Sequence, residues 1–96
     1  MEYNTTTIDY QVLCESLKYS IKDRLGEKFS DLYINDYNSD NYDISLCLVL
    51  NVNKTEVMDT YLETLDDIVD MEFKYDIIIS IVPTTIMEAT TEGEHL

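Results

Sequence analysis

The chain contains few of the residues on which common catalytic and binding motifs depend. Its 96 residues include two glycines, one proline, two cysteines, one histidine and no tryptophan. Two glycines are too few for a glycine-rich phosphate loop, and the cysteines are not spaced as a CxxC pair. The only histidine, His95, lies close to the end of the sequence. The composition therefore argues against a zinc site, a redox dithiol and a hydrolase with a Ser-His or Cys-His pair.

Positive charge is also scarce. Six Lys and Arg residues stand against twenty Asp and Glu residues, so the formal net charge is −14. Residues 29–96 hold fifteen of the acids and only two of the bases, which confines the acidity to the last two thirds of the chain. Such a domain is repelled by nucleic-acid phosphates and attracted to basic protein surfaces. We therefore expect a basic protein partner and no direct binding to DNA or RNA.

Long apolar segments are absent as well. No segment approaches the ~20 apolar residues that a membrane span requires. The opening "MEYNTTTIDYQ" lacks the basic stretch and apolar run of a signal peptide. A hydrophobic fraction of 45% is nevertheless enough for a folded core, and the length suits one domain. These features predict a cytoplasmic domain without membrane contact, a monomer or small homo-oligomer, with reduced thiols at Cys14 and Cys47.

The first predicted element is a helix from Ile8 to Leu25. Thr7 is placed to cap its start, and Gly26 is a natural stop. Its apolar residues recur at three and four positions, namely Tyr10, Leu13, Cys14, Leu17, Ile21 and Leu25. This spacing predicts one helix face buried against the rest of the domain.

Three strands and a second helix follow. The strands are predicted at 29–35, 42–51 and 75–82, the last a central strand ended by Pro83, and the second helix begins at Asn53 with Glu56 placed for a capping box. A short polar link predicts an antiparallel hairpin, and the intervening helix predicts a right-handed parallel crossover. The predicted fold is α+β, in two layers and the order α-β-β-α-β. Helices pack on a small mixed sheet within residues 1–83, and residues 84–96 form a polar tail.

The segments "RLGEKFSDLYI", "YDISLCLVLN" and "LETLDDIVDMEFKYDIIISIV" follow a recognisable order of helix, strand, strand, helix and strand. Over 13–82 this order resembles the minimal nucleotidyltransferases of the DNA-polymerase-β-like superfamily, which include antitoxins. The resemblance implies metal-assisted phosphoryl transfer, in which carboxylates hold two cations. It also implies a partner toxin as one possible target.

The motifs that the resemblance requires are incomplete. Asn35-Asp36 stands where the family has a Gly-Ser pair, and Asp43-Ile44-Ser45 stands where it has Asp-x-Asp. Asp43 and Asp76, on the last predicted strand, are the two carboxylates that would act if the chain were active. We therefore expect a degenerate, non-catalytic member without metal or cofactor.

Asp36-x-Asn38-x-Asp40 also opens like a calcium-binding loop. An EF-hand loop that starts at Asp36 requires glycine at its sixth position and glutamate at its twelfth. The chain has Asn41 and Cys47 there, so this hypothesis is weak.

The second predicted helix carries acids on one face and apolar residues on the other. At about 100° per residue the acids form a ridge, which comprises Glu56, Asp59, Glu63, Asp66, Asp67 and Asp70. The opposite arc comprises Val57, Met58, Tyr61, Leu62, Leu65, Ile68 and Val69. Only Lys54 offers a compensating charge on this helix before Lys74. Because unpaired like charges destabilise a helix, their accumulation favours a use in binding.

The hairpin link adds acids and a tyrosine to this negative surface. We predict that Asp36, Asp40 and Asp43 act as charge contacts and Tyr37 as an anchor. The leading hypothesis is an inhibitor that mimics DNA and blocks the basic surface of a nucleic-acid-binding enzyme, as phage anti-CRISPR or other anti-defence proteins do. The alternative is an antitoxin-like subunit that neutralises a toxin, and a weak metal-dependent nucleotidyltransferase is the third hypothesis.

Overall fold

The structure, a computed structural model, describes residues 9–86. These residues form, in chain order, α1 (Tyr10–Leu25), β1 (Phe29–Tyr37), β2 (Ile44–Leu50), α2 (Val57–Leu62), α3 (Leu65–Tyr75) and β3 (Ile79–Thr85). Short 3-10 turns at 26–28 and 54–56 precede β1 and α2. The predicted α+β class, with helices packed on a small mixed sheet, is confirmed. Within 9–86, no helix has both the length and the apolar character needed to cross a membrane.

The sheet has the strand order β1-β2-β3. β1 pairs antiparallel with β2, and β2 pairs parallel with β3, so the predicted hairpin and the parallel crossover are both confirmed. β2 is the central strand and is buried at six of its seven positions. The prediction that the isoleucine-rich strand is central is wrong, because β3 lies at the edge. An apolar run has the same sequence pattern whether the strand has neighbouring strands on both sides or lies at the edge of the sheet.

The limits of β3 also differ from the prediction. Tyr75 ends α3, and the strand begins four residues later at Ile79. Pro83 does not end the strand: it pairs with Leu48, and β3 continues to Thr85. An edge strand tolerates proline because one side of its backbone needs no partner strand. The domain therefore extends past the predicted boundary at 83, while residues 87–96 of the predicted tail lie outside the described residues.

The core lies between α1 and the sheet. All the apolar residues predicted for one face of α1 are buried except Tyr10, which is half-buried. Asp9 caps the helix, since its Oδ1 accepts hydrogen bonds from the backbone amides of Gln11 (3.0 Å) and Val12 (3.3 Å). The predicted cap, Thr7, lies outside the described residues. Gly26 ends the helix as predicted, with a positive φ of 59°.

The second predicted helix is not continuous. It is divided at Glu63 and Thr64, whose amides donate to carbonyl oxygens three residues earlier. Thr64 is fully buried, and its hydroxyl donates to the carbonyl of Tyr61 at 2.7 Å. In a regular helix the Tyr61 carbonyl would accept from residue 65, so the buried hydroxyl competes for that acceptor and interrupts the helix. The predicted capping box also does not form, because no side chain caps the turn that begins after Asn53.

Candidate functional site

The predicted binding residues lie in two regions of the molecule. The first is the hairpin end, where the β1–β2 turn meets the start of β3. The second is the α2–α3 surface, which carries the predicted acidic ridge.

Asp36 at the hairpin end is engaged within the protein. Its Oδ1 accepts a hydrogen bond from the Tyr37 amide at 2.9 Å, and its Oδ2 accepts one from the Tyr42 hydroxyl at 3.0 Å. The hydrogen bond to Asp36 raises the pKa of Tyr42, since the carboxylate favours the protonated phenol. Asp40 lies in the turn and is exposed. Asp36 therefore stabilises the turn, whereas Asp40 faces solvent.

Tyr37 does not lie in the turn as predicted. It is the last residue of β1 and pairs with Ile44 of β2. Its ring stacks on that of Tyr10, with centroids 5.7 Å apart and an interplanar angle of 21°. Half of its surface remains exposed. Tyr37 thus links the sheet to α1 and still presents part of its ring to a partner.

Asp43 joins β2 to the start of β3. Its Oδ2 accepts a hydrogen bond from the Ile78 amide at 2.7 Å, and its own amide donates to the Ile78 carbonyl at 2.9 Å. Glu72 acts similarly, with Oε2 accepting from the Ile79 amide at 2.8 Å. Each carboxylate therefore accepts a hydrogen bond from a backbone amide at the start of β3, where pairing with β2 does not supply the acceptor.

The second carboxylate of the nucleotidyltransferase hypothesis is not where it was predicted. Asp76 lies directly after α3 in a left-handed conformation (φ 55°, ψ 52°), three residues before β3, and not on the last strand. Ser45, which the resemblance aligns with an aspartate of the family motif, is buried. Within residues 9–86, no three His, Cys, Asp or Glu side chains are grouped so that they could hold a metal ion.

On the α2–α3 surface, two ridge acids form ion pairs with bases of α1 and of the turn that follows it. Arg24 Nε donates to Asp67 Oδ2 at 2.6 Å and Arg24 Nη2 to Asp67 Oδ1 at 3.3 Å. Lys28 Nζ lies 3.3 Å from Glu63 Oε2. The prediction that the ridge lacks compensating bases is therefore wrong for Glu63 and Asp67. The partner of Glu63 is 35 residues away in sequence and that of Asp67 is 43 residues away, so helix spacing could not have predicted either.

The other four ridge acids, Glu56, Asp59, Asp66 and Asp70, are exposed. None of them forms an ion pair with a side chain in the described part of the chain. These four acids are thus available to a basic partner.

Beside the acids lies an exposed apolar surface that the sequence did not predict. Met58, Leu62 and Val69 were assigned to the buried arc but are 57%, 53% and 41% exposed. Phe73, which was assigned neither to the acidic ridge nor to the apolar arc, is 82% exposed. The available signal was its position, because Phe73 lies five residues after the buried Ile68 and so about 140° away around α3.

Comparison with protein-family models found no matching family, and searches of curated proteins and of solved structures found no match either. The resemblance to nucleotidyltransferases therefore stays a prediction.

Proposed function

We propose that the protein is a non-catalytic inhibitor that blocks the basic nucleic-acid-binding surface of a partner protein by mimicking DNA. The observation that carries this proposal is the set of exposed acids on α2 and α3 that have no basic partner in the described part of the chain. Asp59, Asp66 and Asp70 are its central members. Asp40 and the half-exposed Tyr37 at the hairpin end contribute flanking contacts.

The spacing of these acids suits long-range attraction. Asp66 and Asp70 are one helical turn apart, which corresponds to about 6 Å along α3. This separation is shorter than the screening length of about 8 Å at physiological ionic strength, so their fields add. A net charge of −14 extends the same field around the molecule. Association with a basic channel would therefore be fast and sensitive to salt.

The contacts of Asp43 support the non-catalytic part of the proposal. Its carboxylate accepts a hydrogen bond from the Ile78 amide, which leaves less of its capacity for a cation. Asp76 sits outside the strand on which the resemblance would require it. We infer that the family's scaffold is used for binding, in the cytoplasm of a bacterial or phage-infected cell, as in anti-CRISPR and other anti-defence proteins.

A competition assay tests the proposal. Duplex DNA is bound to a CRISPR effector of the Cas9 type, and the protein is added at several salt concentrations. Direct binding of the protein to the DNA-free effector, measured alongside, should weaken steeply as salt rises, because it depends on attraction between opposite charges. The variant Asp59→Asn/Asp66→Asn/Asp70→Asn should reduce the association rate by at least about tenfold.

The matched control changes the same number of charges elsewhere. Glu15→Gln/Asp23→Asn/Glu27→Gln alters three exposed acids of α1 and the turn that follows it. If both triple variants displace DNA equally well, net charge and not the α2–α3 surface is responsible. Inhibition of a partner that survives the first triple variant and is insensitive to salt would favour the antitoxin-like alternative.

A further inference from the structure

The exposed apolar residues of α3 lie among the acids and not apart from them. At about 100° per residue, Val69, Phe73, Asp66 and Asp70 follow one another around the helix within about 100° of arc. Phe73 is 82% exposed, although burial of a phenylalanine side chain is worth about 1.5–3 kcal/mol. An exposed ring in this position is more than an isolated surface residue, because Val69 and Ile78 beside it are also exposed.

Phe73 and Ile78 line one shallow depression. It has a volume of about 250 Å³, and Glu72, Asp76 and Ile77 complete its lining. Small-molecule sites are larger, at roughly 300–1,000 Å³, and enclose most of their ligand. The depression is suited to one or two apolar side chains from a larger partner. Asp76 lines the depression itself, and Asp66 and Asp70 lie on the neighbouring arc of α3, so carboxylates flank the apolar residues.

We infer that this surface, centred on Phe73, binds a cationic amphipathic helix of a partner protein. The inference rests on the proposed function and names the form of the basic partner surface. Apolar side chains of the helix would contact Phe73, Val69 and Ile78, while its lysines or arginines would reach the flanking acids. Val69 and Phe73 are four residues apart, and such a row of side chains packs well into the groove of a second helix.

The negative charge of this surface argues against two other binding partners, a second copy of the chain and residues 87–96 of the same chain. In a two-fold symmetric dimer the same surface faces itself, so Asp66, Asp70 and Asp76 would oppose their own copies. The end of the chain is also unsuited, because residues 87–96 contain three glutamates and no lysine or arginine. A cationic helix instead satisfies both the apolar row and its acidic flanks.

The test uses the full chain and three synthetic peptides. The first is a helical peptide of leucine and lysine with leucines at three- and four-residue spacing. The second has the same composition in an order that breaks this spacing, and the third is oligolysine. Binding is measured by fluorescence anisotropy at physiological ionic strength, and the contact surface is mapped by amide chemical-shift changes.

Phe73→Ser should raise the dissociation constant for the amphipathic peptide by about tenfold or more, as expected for a central apolar anchor. It should leave oligolysine binding unchanged. Tyr19→Ser is the matched control, because Tyr19 is 77% exposed on α1 and is not among the residues that line the depression beside Phe73. Shift changes should concentrate at Val69, Phe73 and Ile78. Both variants replace exposed side chains, and unchanged thermal unfolding confirms that each is folded.

Three results would overturn the inference. These are equal effects of Phe73→Ser and Tyr19→Ser, no binding of the amphipathic peptide, or a concentration-dependent dimer that Phe73→Ser abolishes in sedimentation experiments. None of them decides the proposed function, which depends on the salt response and on the triple Asp→Asn variant. The two proposals can fail separately. If the triple Asp→Asn variant keeps full inhibition while Phe73→Ser weakens binding of the amphipathic peptide, the proposed function fails and the docking surface stands.

Discussion

The hairpin end and the α2–α3 surface are both acidic, but they use their carboxylates differently. At the hairpin end, Asp36 and Asp43 accept hydrogen bonds from amides or a hydroxyl of the protein itself. On α2 and α3, Asp66 and Asp70 are exposed and have no basic partner among the described side chains. A count of acidic residues in the sequence does not distinguish these two groups of carboxylates. Only the first group holds the fold together, and only the second is available in full to a partner.

The largest stability effect is expected at Asp43. Asp43→Ala leaves the Ile78 amide without its acceptor and should cost about 1–2 kcal/mol in the free energy of unfolding. For a domain of this size, that corresponds to a decrease in melting temperature of roughly 4–8 °C per kcal/mol. Asp43→Asn should lose less than half as much, since its amide oxygen can still accept. Urea unfolding measures both.

Asp40→Ala is the matched control for Asp43, because Asp40 is exposed in the same turn. Its effect should be near zero. If Asp40→Ala and Asp43→Ala destabilise equally, the distinction between structural and available carboxylates fails at the hairpin end.

A smaller effect is expected where α3 contacts α1. Asp67→Ala removes the ion pair with Arg24, and a double-mutant cycle with Arg24→Ala should give a small favourable coupling. The value is modest because the Arg24 side chain is 43% exposed, although that of Asp67 is only 17% exposed. Asp66→Ala in the same cycle should show weaker coupling. A coupling for Asp66 as large as that for Asp67 would contradict the assignment of partners.

Asp70→Asn should increase the stability of the protein, whereas the substitutions at Asp43 and Asp67 decrease it. Asp70 lies four residues after Asp66 and three after Asp67, so its charge opposes theirs along one face of α3. Neutralising it should stabilise the protein by a few tenths of a kcal/mol. The gain should vanish at high salt, because the repulsion is screened. A loss of stability at low salt would show that Asp70 has a structural partner.

The smallest expected effect is on the titration of Tyr42. Its pKa is raised in the folded protein by the hydrogen bond to Asp36. Because the folded-state pKa exceeds the unfolded value of about 10, the contribution to stability is complete below that pH. It is lost as pH rises through the higher folded pKa. NMR titration of labelled tyrosine rings should show Tyr42 ionising at lower pH in Asp36→Asn than in the native chain, and identical curves would contradict the hydrogen bond.

Local periodicity was sufficient to predict most of the fold. The stripe from Leu13 to Leu25 is buried as predicted, and Gly26 ends the helix that carries it. The short polar link after β1 correctly predicted an antiparallel hairpin, and the helical segment before β3 correctly predicted a parallel crossover. These features depend on residues within one element or on the length of one connection, and both can be read from neighbouring positions.

Three features of the site could not be predicted from neighbouring positions in the sequence. The break at Thr64 arises because a buried hydroxyl takes the Tyr61 carbonyl, and that burial depends on packing against other elements. The pairing of Asp67 with Arg24 depends on α1 lying beside α3. The exposure of Phe73 depends on which side of α3 faces the sheet.

The sequence by itself determined the element order, the strand directions, the core face of α1 and the excess of negative charge. These follow from the spacing of apolar residues and from composition, which do not depend on how the elements are placed. The tertiary structure alone decided which carboxylates are engaged, because a hydrogen bond such as that between Asp43 and the Ile78 amide joins residues far apart in the chain. It also decided that Phe73 faces solvent among unpaired acids, since exposure is a property of the assembled surface.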